Sequence, residues 1–268
     1  MKEKISITLD KSVIRRVDSF VDRIFVRNRS QSIENVLKSY LDKNKTAVIL
    51  LGGPEEKLKI GKKYVCEVMI HKMTLIERII KKLRENNFRD IYVIGRKKIL
   101  ESVFSILKDG KTFGTKIKYI EEKDSSGTAD SLKLIRKEIS SSFLVLFGDL
   151  VLDKINLEAL WNDHIKKSPI ATLTLISYGK PTEKGEVFLE GDKIIGFRQK
   201  PLKKESYIVF APIFICEPEM LYYGGKSLEE DIFPDLASKR LLNGHVSSGQ
   251  DFHIHTPLDV IKANKIFK

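Results

Sequence analysis

From Thr46 onward, short apolar runs alternate with amphipathic stretches, and few folds accept that order. Ala47–Leu51 is a continuous apolar run of strand length, while Thr74–Asn86 repeats its apolar residues at helical spacing. "DIYVIG" at 90–95 reads as a strand and Lys98–Leu107 as a helix. "KIKYIEE" at 116–122, "TADSLKLIRKEI" at 128–139 and "FLVLFGD" at 143–149 continue as strand, helix and buried strand. Strands apolar on both faces, separated by helices, predict an α/β domain over 46–268 with a mainly parallel sheet. Ligands of such sheets sit beyond the carboxyl ends of the strands. Further along, "GEVFLEGDKIIGFRQKP" predicts a hairpin turning at Gly191-Asp192.

Residues 1–45 do not share this pattern. "KEKISITLD" alternates strictly, with Ile5, Ile7 and Leu9 on one face and Lys4, Ser6 and Thr8 on the other. Asp10 is placed to cap a helix carrying Val13, Val17, Phe20, Val21 and Ile24, and Ser30 to cap a second with Ile33, Val36, Leu37, Tyr40 and Leu41. So small a unit holds little core, and its single strand needs a partner: the larger domain, or the same strand of a second chain. The strand-helix-helix order resembles ribbon-helix-helix DNA-binding domains of the Arc and MetJ type. That resemblance implies a homodimer through residues 3–9, with the paired strands in the major groove of an operator duplex. Lys4, Ser6 and Thr8 would then read base edges, and Arg29 and Ser30 would meet a phosphate at the start of the second helix.

Charge agrees with a polyanionic partner. The net charge is +12, and residues 1–46 carry 11 basic against 6 acidic side chains, several times denser per residue than the remainder. Cys66 and Cys216 lie in apolar segments and suggest neither a disulfide framework nor a zinc site. The start of the chain has no signal-peptide pattern, and the longest apolar stretch, 143–152, is broken by Gly148 and Asp149. The expectation is a cytoplasmic protein with no membrane partner.

The first strand of the larger domain runs into Gly52-Gly53 and then Pro54, Glu55 and Glu56. This is not a P-loop, because Glu56 stands five before Gly61-Lys62 where a glycine is needed, and no third glycine completes a dinucleotide fingerprint. The landmarks that follow are Lys63, "LIERII", "SSGTADSLKL", "FLVLFGD", "GEV…GFRQKP", "APIFICEPEML" and "HTPLDVIKAN". In this order they resemble the sugar-phosphate nucleotidylyltransferases, which join an NTP to a sugar 1-phosphate, and imply their Rossmann-like fold. The resemblance assigns Gly52, Gly53 and Lys57 to the triphosphate loop and Gly127, Thr128 and Ala129 to the nucleobase. It assigns Lys57, Lys63 and Asp149 to catalysis, Asp149 to Mg²⁺, and Gly185 and Lys200 to the sugar phosphate.

Several positions depart from the family pattern. Glu55, Glu56 and Lys57 replace Gly, Thr and Arg of the loop, and Gln199 stands where the family has Glu. Phe210-Ala211-Pro212 replaces Asn-Ala-Gly of the sugar pocket. His253-Ile254-His255 replaces Asp-Ile-Gly, so a histidine stands at the second metal position; Asp251, two residues before it and on the same face of a strand, is an alternative metal carboxylate. Magnesium prefers oxygen ligands, and two carboxylates beside a triphosphate repel it. These departures imply a damaged active site. The expected function is a DNA-binding transcriptional regulator whose larger domain binds a nucleotide, sugar phosphate or NDP-sugar as effector. The alternative is an active sugar-phosphate nucleotidylyltransferase.

Overall fold

The computed structural model describes residues 5–41, 44–124, 126–249 and 252–267. The chain divides into two compact units, Met1–Lys45 and Thr46–Lys268.

In the smaller unit, helix α1 spans Lys11–Asp18 and α2 spans Arg29–Leu41. Asp10 caps α1 by accepting the Ser12 N–H at 2.7 Å. The helix stops at Asp18 instead of continuing to Ile24. Asp22 Oδ1 accepts the N–H groups of Ile24, Phe25 and Val26 at 2.8, 2.8 and 2.9 Å, and Arg23 turns into the left-handed region at φ 62°. These local bonds compete with the helix and win. Asn28, not Ser30, caps α2, because its side chain accepts the Gln31 N–H at 2.9 Å. The two helices are joined where the buried Ser32 hydroxyl donates to the carbonyl of the buried Val17 at 2.7 Å. Residues 5–10 have no strand partner among the described residues, and Ile5 and Ile7 are 71% and 49% exposed.

The larger unit is built on strands β1 (Lys45–Leu51), β2 (Phe88–Gly95), β3 (Lys116–Glu121), β4 (Phe143–Phe147), β5 (Leu150–Val151), β6 (Ala171–Ser177), β7 (Gly185–Glu190), β8 (Lys193–Gln199), β9 (Ile208–Cys216), β10 (Leu242–Val246) and β11 (Phe252–His253). Nine of them form one sheet in the order β6-β10-β8-β7-β9-β4-β1-β2-β3, while β5 pairs with β11. Pairs β1/β4, β2/β3 and β6/β10 are parallel. Pairs β4/β9, β6/β9, β7/β8, β7/β9 and β8/β10 are antiparallel. The sheet is therefore mixed: the β-α-β series supplies the parallel pairs β1/β4 and β2/β3, and the predicted hairpin at 191–192 lies in the other half, which is antiparallel except for β6/β10.

Helices α3 (Leu75–Glu85), α4 (Lys97–Leu107), α5 (Thr128–Lys133), α6 (Leu157–Lys167), α7 (Phe233–Ser238) and α8 (Pro257–Ile266) complete the unit. Both faces of the sheet are covered. Ala47, Ile49 and Leu51 pack with α3 and α4 in one apolar layer, while Val48 and Leu50 join Ala129, Leu132 and Phe233 in the other. This is why β1 is an unbroken apolar run. The helix predicted to Ile139 ends at Lys133; beyond it Leu134, Ile135, Arg136 and Glu138 donate to carbonyls three residues back. No helix among the described residues is long and apolar enough to cross a membrane.

Candidate active site

The carboxyl ends of β1, β2, β3 and β4 converge. Gly148 donates its N–H to Leu50 at 3.0 Å, and Glu122 donates its own to Gly95 at 2.8 Å. Gly52 lies so near the Glu122 carboxylate that a Cβ there would stand 2.5 Å from Oε2, and Gly53 turns at φ 121°. Both positions demand glycine, one for closeness and one for conformation. Burial pushes the Glu122 carboxyl above its usual range, against the Ser131 hydrogen bond and the charge of Arg96. Glu122 was not singled out from the sequence, where one acid in "YIEEKD" carries no distinguishing signal.

Glu55 behaves differently from the sequence expectation. Residues Glu55–Leu58 form one short helical turn, followed by a tight hairpin in which Lys59 pairs with Tyr64 and Ile60 with Lys63. Glu55 is drawn back onto that hairpin: Lys59 Nζ lies 2.5 Å and the Tyr64 hydroxyl 3.1 Å from its Oε1, with Lys98 3.7 Å from Oε2. The Lys59 and Tyr64 hydrogen bonds hold its carboxyl below the usual range. Its charge is compensated in place, which corrects the expectation of a bare carboxylate facing the triphosphate. A cavity of about 190 Å³ beside this turn is lined by Arg96, Lys97 and Lys98 at the start of α4. Those cations add positive charge that the altered loop lacks. Glu56 and Lys63 are exposed.

Gly127 opens α5 against the carbonyl of Lys226, where a Cβ would clash. The Thr128 hydroxyl donates to Glu229 at 2.7 Å and accepts the Leu228 N–H at 2.9 Å, and Ala129 is buried. The Gly-Thr-Ala segment is thus clamped to residues 226–229, a partner that lies about a hundred residues away in sequence.

Asp149 follows β4 and is enclosed by the β5/β11 pair, in which His253 lies opposite Leu150. Its Oδ2 is 3.5 Å from His253 Nδ1 and 3.6 Å from His255 Nδ1, and the two imidazoles stack with centroids 5.3 Å apart. Burial alone would raise the Asp149 carboxyl. The His253 hydrogen bond and the charges of both histidines outweigh that and hold it below the usual range. Oδ1 is buried with no hydrogen-bond partner among the described residues. His253 Nε2 meets Lys184 Nζ at 3.1 Å. The carbonyl of Lys184 accepts the N–H of Lys200 at 2.9 Å, and Gly185 pairs with Gln199 across the β7/β8 hairpin. Lys184 therefore joins the Asp149 cluster to the predicted sugar-phosphate residues. Gln199 Oε1 is a second buried acceptor without a partner among the described residues.

Not every predicted residue enters this cleft. Phe210 is 4% exposed and packs edge-on against Phe197 and Phe233, so it belongs to the core instead of lining an open pocket. In the smaller unit Ser6, Thr8 and Ser30 are exposed. Arg29 is engaged by Asp18 through two hydrogen bonds of 2.7 Å at an exposed position. Lys4 and Asp251 lie outside the described residues, as does the Lys57 side chain.

Mg²⁺ fits this cluster poorly. It requires near-octahedral oxygen coordination, whereas Asp149, His253 and His255 supply one carboxylate and two imidazoles.

Comparison with known proteins agrees with the landmark order. The family model described as "Nucleotidyl transferase" matches residues 46–254. The "Bifunctional protein GlmU" of Methanococcus aeolicus is 25% identical over 206 residues, covering 71% of this chain and 46% of that protein. A "Putative mannose-1-phosphate guanyltransferase" of Sulfolobus acidocaldarius is 28% identical over 147 residues, 53% of this chain and 41% of its own length. The chain spans about half the length of the curated relatives it matches. A crystal structure described as a "Putative Glucose-1-Phosphate Thymidylyltransferase" from Bacillus anthracis matches with a TM-score of 0.74 at 20% identity, over 83% of this chain and 94% of that one. At that identity the likeness is one of fold.

Proposed function

The chain belongs to the nucleotidyl transferase family through residues 46–254, and we propose that its larger unit transfers a nucleotidyl group from a nucleoside triphosphate to a sugar phosphate. The relatives favour this reading over that of a regulator with a disabled enzyme domain. The observation that carries it is the meeting, at one strand edge, of the Gly52-Gly53 turn, Glu122 and Asp149, with Lys184 connecting to Gly185 and Lys200. In this reading a phosphate oxygen of the sugar phosphate attacks the α-phosphorus and pyrophosphate leaves. The backbone of the glycine turn and the cations Arg96, Lys97 and Lys98 receive the charge of the leaving group. Lys184, Lys200 and the unmet Gln199 acceptor orient the sugar phosphate.

Titration calorimetry with each nucleoside triphosphate should find at least one that binds with micromolar affinity. Glu55→Gln should change that affinity by less than about threefold, because Lys59 already neutralises the acid. Binding of none at millimolar concentration by folded protein defeats the reading. A tenfold gain in Glu55→Gln, about 1.4 kcal/mol, restores the picture of an obstructing acid.

The smaller unit supports a second reading as a ribbon-helix-helix module that pairs with that of another chain and binds DNA. The supporting observation is its apolar exposure: Ile5, Ile7, Val13 and Phe20 all face solvent in a unit with excess positive charge. Arg29 would have to exchange Asp18 for a phosphate. Light scattering should give a dimer, and Ile7→Asp should yield monomers that no longer retain a palindromic duplex selected from a random pool. A natural chain that is monomeric at micromolar concentration rules this out.

A further inference from the structure

We propose that Asp149, His253 and His255 form a binding site for a divalent ion of the Co²⁺ or Zn²⁺ class, selected over the Mg²⁺ that the family resemblance implies. The two Nδ1 atoms lie 3.5 and 3.6 Å from Asp149 Oδ2. The His253 contact is thus a stretched hydrogen bond, longer than the usual range of roughly 2.7–3.2 Å for N–H···O. Both separations approach the edge of a tetrahedron: donors held about 2.0–2.1 Å from one ion stand roughly 3.3 Å apart. One donor atom from each of the three residues lies within 4.8 Å of the others.

The frame around these donors is fixed. Ile254, between the two histidines, is fully buried and donates its N–H to the Asp149 carbonyl at 2.9 Å. One backbone hydrogen bond thus sets both imidazoles against one carboxylate. A charged carboxylate with one oxygen buried and unmet among the described residues is costly unless something supplies the missing positive charge. Imidazole nitrogen suits Zn²⁺, Co²⁺ and Ni²⁺, whereas Mg²⁺ keeps its waters and oxygen ligands. With three protein donors, such a site leaves a position for water or a phosphate oxygen.

Lys184 gives the site a built-in competitor. Its ammonium lies 3.1 Å from His253 Nε2 and 5.0 Å from the centre of the Tyr178 ring. An imidazole that binds an ion through Nδ1 carries its proton on Nε2, and that N–H would then face the ammonium. Ion binding therefore displaces Lys184, for which the Tyr178 face offers a resting place.

Full-length protein freed of metal with a chelator and titrated with Co²⁺ should develop the visible absorption of a low-symmetry site at one ion per chain. Zn²⁺ should bleach the band, and a hundredfold excess of Mg²⁺ should leave it. His253→Ala and His255→Ala should each weaken Co²⁺ binding at least about 100-fold, beyond the range carried by outer-shell groups. His255 is 59% exposed at its side chain, so its replacement tests the site without burdening the fold. Lys184→Met should tighten binding about tenfold. The inference fails if neither natural protein nor Lys184→Met gives a band at millimolar Co²⁺, if His255→Ala binds as the natural protein does, or if Mg²⁺ displaces Co²⁺ at equal concentration. Catalysis plays no part in this readout, so absence of nucleotidyl transfer leaves the ion site standing, and the reverse also holds.

Discussion

Asp149→Ala should retain the natural unfolding profile and lower sugar-nucleotide formation by about 1,000-fold or more, roughly 4 kcal/mol of transition-state stabilisation. One carboxylate has several tasks here. It stands where β4 delivers it to the cleft, both histidines converge on its Oδ2, and the His253 ring reaches on to Lys184. Removing it frees two imidazoles and an ammonium that it holds in register, and it removes the only oxygen donor of the three-residue cluster. The loss should fall mainly on kcat, because groups aligned for the transition state, not the binding surface as a whole, are disturbed. Lys63→Ala, at an exposed hairpin position, should cost less than Asp149→Ala. Rates for the two variants within threefold of each other would contradict this division of roles.

Phe233→Ala should destabilise the larger unit by about 3–5 kcal/mol, the range for deleting a buried aromatic ring. Phe233 is fully buried and meets Phe197, Phe210 and Phe214 with ring centroids 5.4, 5.3 and 5.3 Å away, each edge-on. Four rings in one cluster leave no small group able to slide into the space, so the cavity persists. Trp161, the single tryptophan, lies in the larger unit and reports its unfolding without interference from residues 1–45. Urea unfolding followed by its fluorescence measures the change, with Phe104→Ala as a control: that ring is 49% exposed and touches Tyr119. A midpoint shift for Phe233→Ala no larger than the control's would show that the aromatic cluster does not hold the unit together.

The same cluster explains why Phe210 misled the sequence reading. A Phe in place of a sugar-binding Asn looks like an obstruction, but whether it blocks a pocket or fills a core depends on Phe197 and Phe233, which arrive from other strands and helices. The parallel half of the sheet was legible, because β1 to β4 are apolar runs separated by periodic helices. The other half was not, beyond its hairpin, since β6 pairs across long stretches of chain, antiparallel with β9 and parallel with β10. Asp149 and the glycine turn stood out because a strand ending in Gly-Asp or Gly-Gly has a local signature. Lys184, Glu122 and the clamp between Thr128 and Glu229 have none; each acquires meaning from a neighbour dozens of residues away. Glu55 shows the opposite error. Its charge was legible, but its partner Lys59 was not, because only the turn at 55–58 brings the two together. In the smaller unit, the Asp10 cap was legible and the early end of α1 was hidden in three backbone bonds to Asp22.

The most direct measurement of the central claim is a mass-spectrometric product assay. Natural full-length protein is incubated with a matrix of nucleoside triphosphates and sugar 1-phosphates, in separate sets with Mg²⁺ and Co²⁺. At least one pair should yield an NDP-sugar and equimolar pyrophosphate, formed faster with Co²⁺ and lost in Asp149→Ala. Hydrolysis without sugar transfer, or no product from any pair under conditions where a triphosphate demonstrably binds, would contradict the claim.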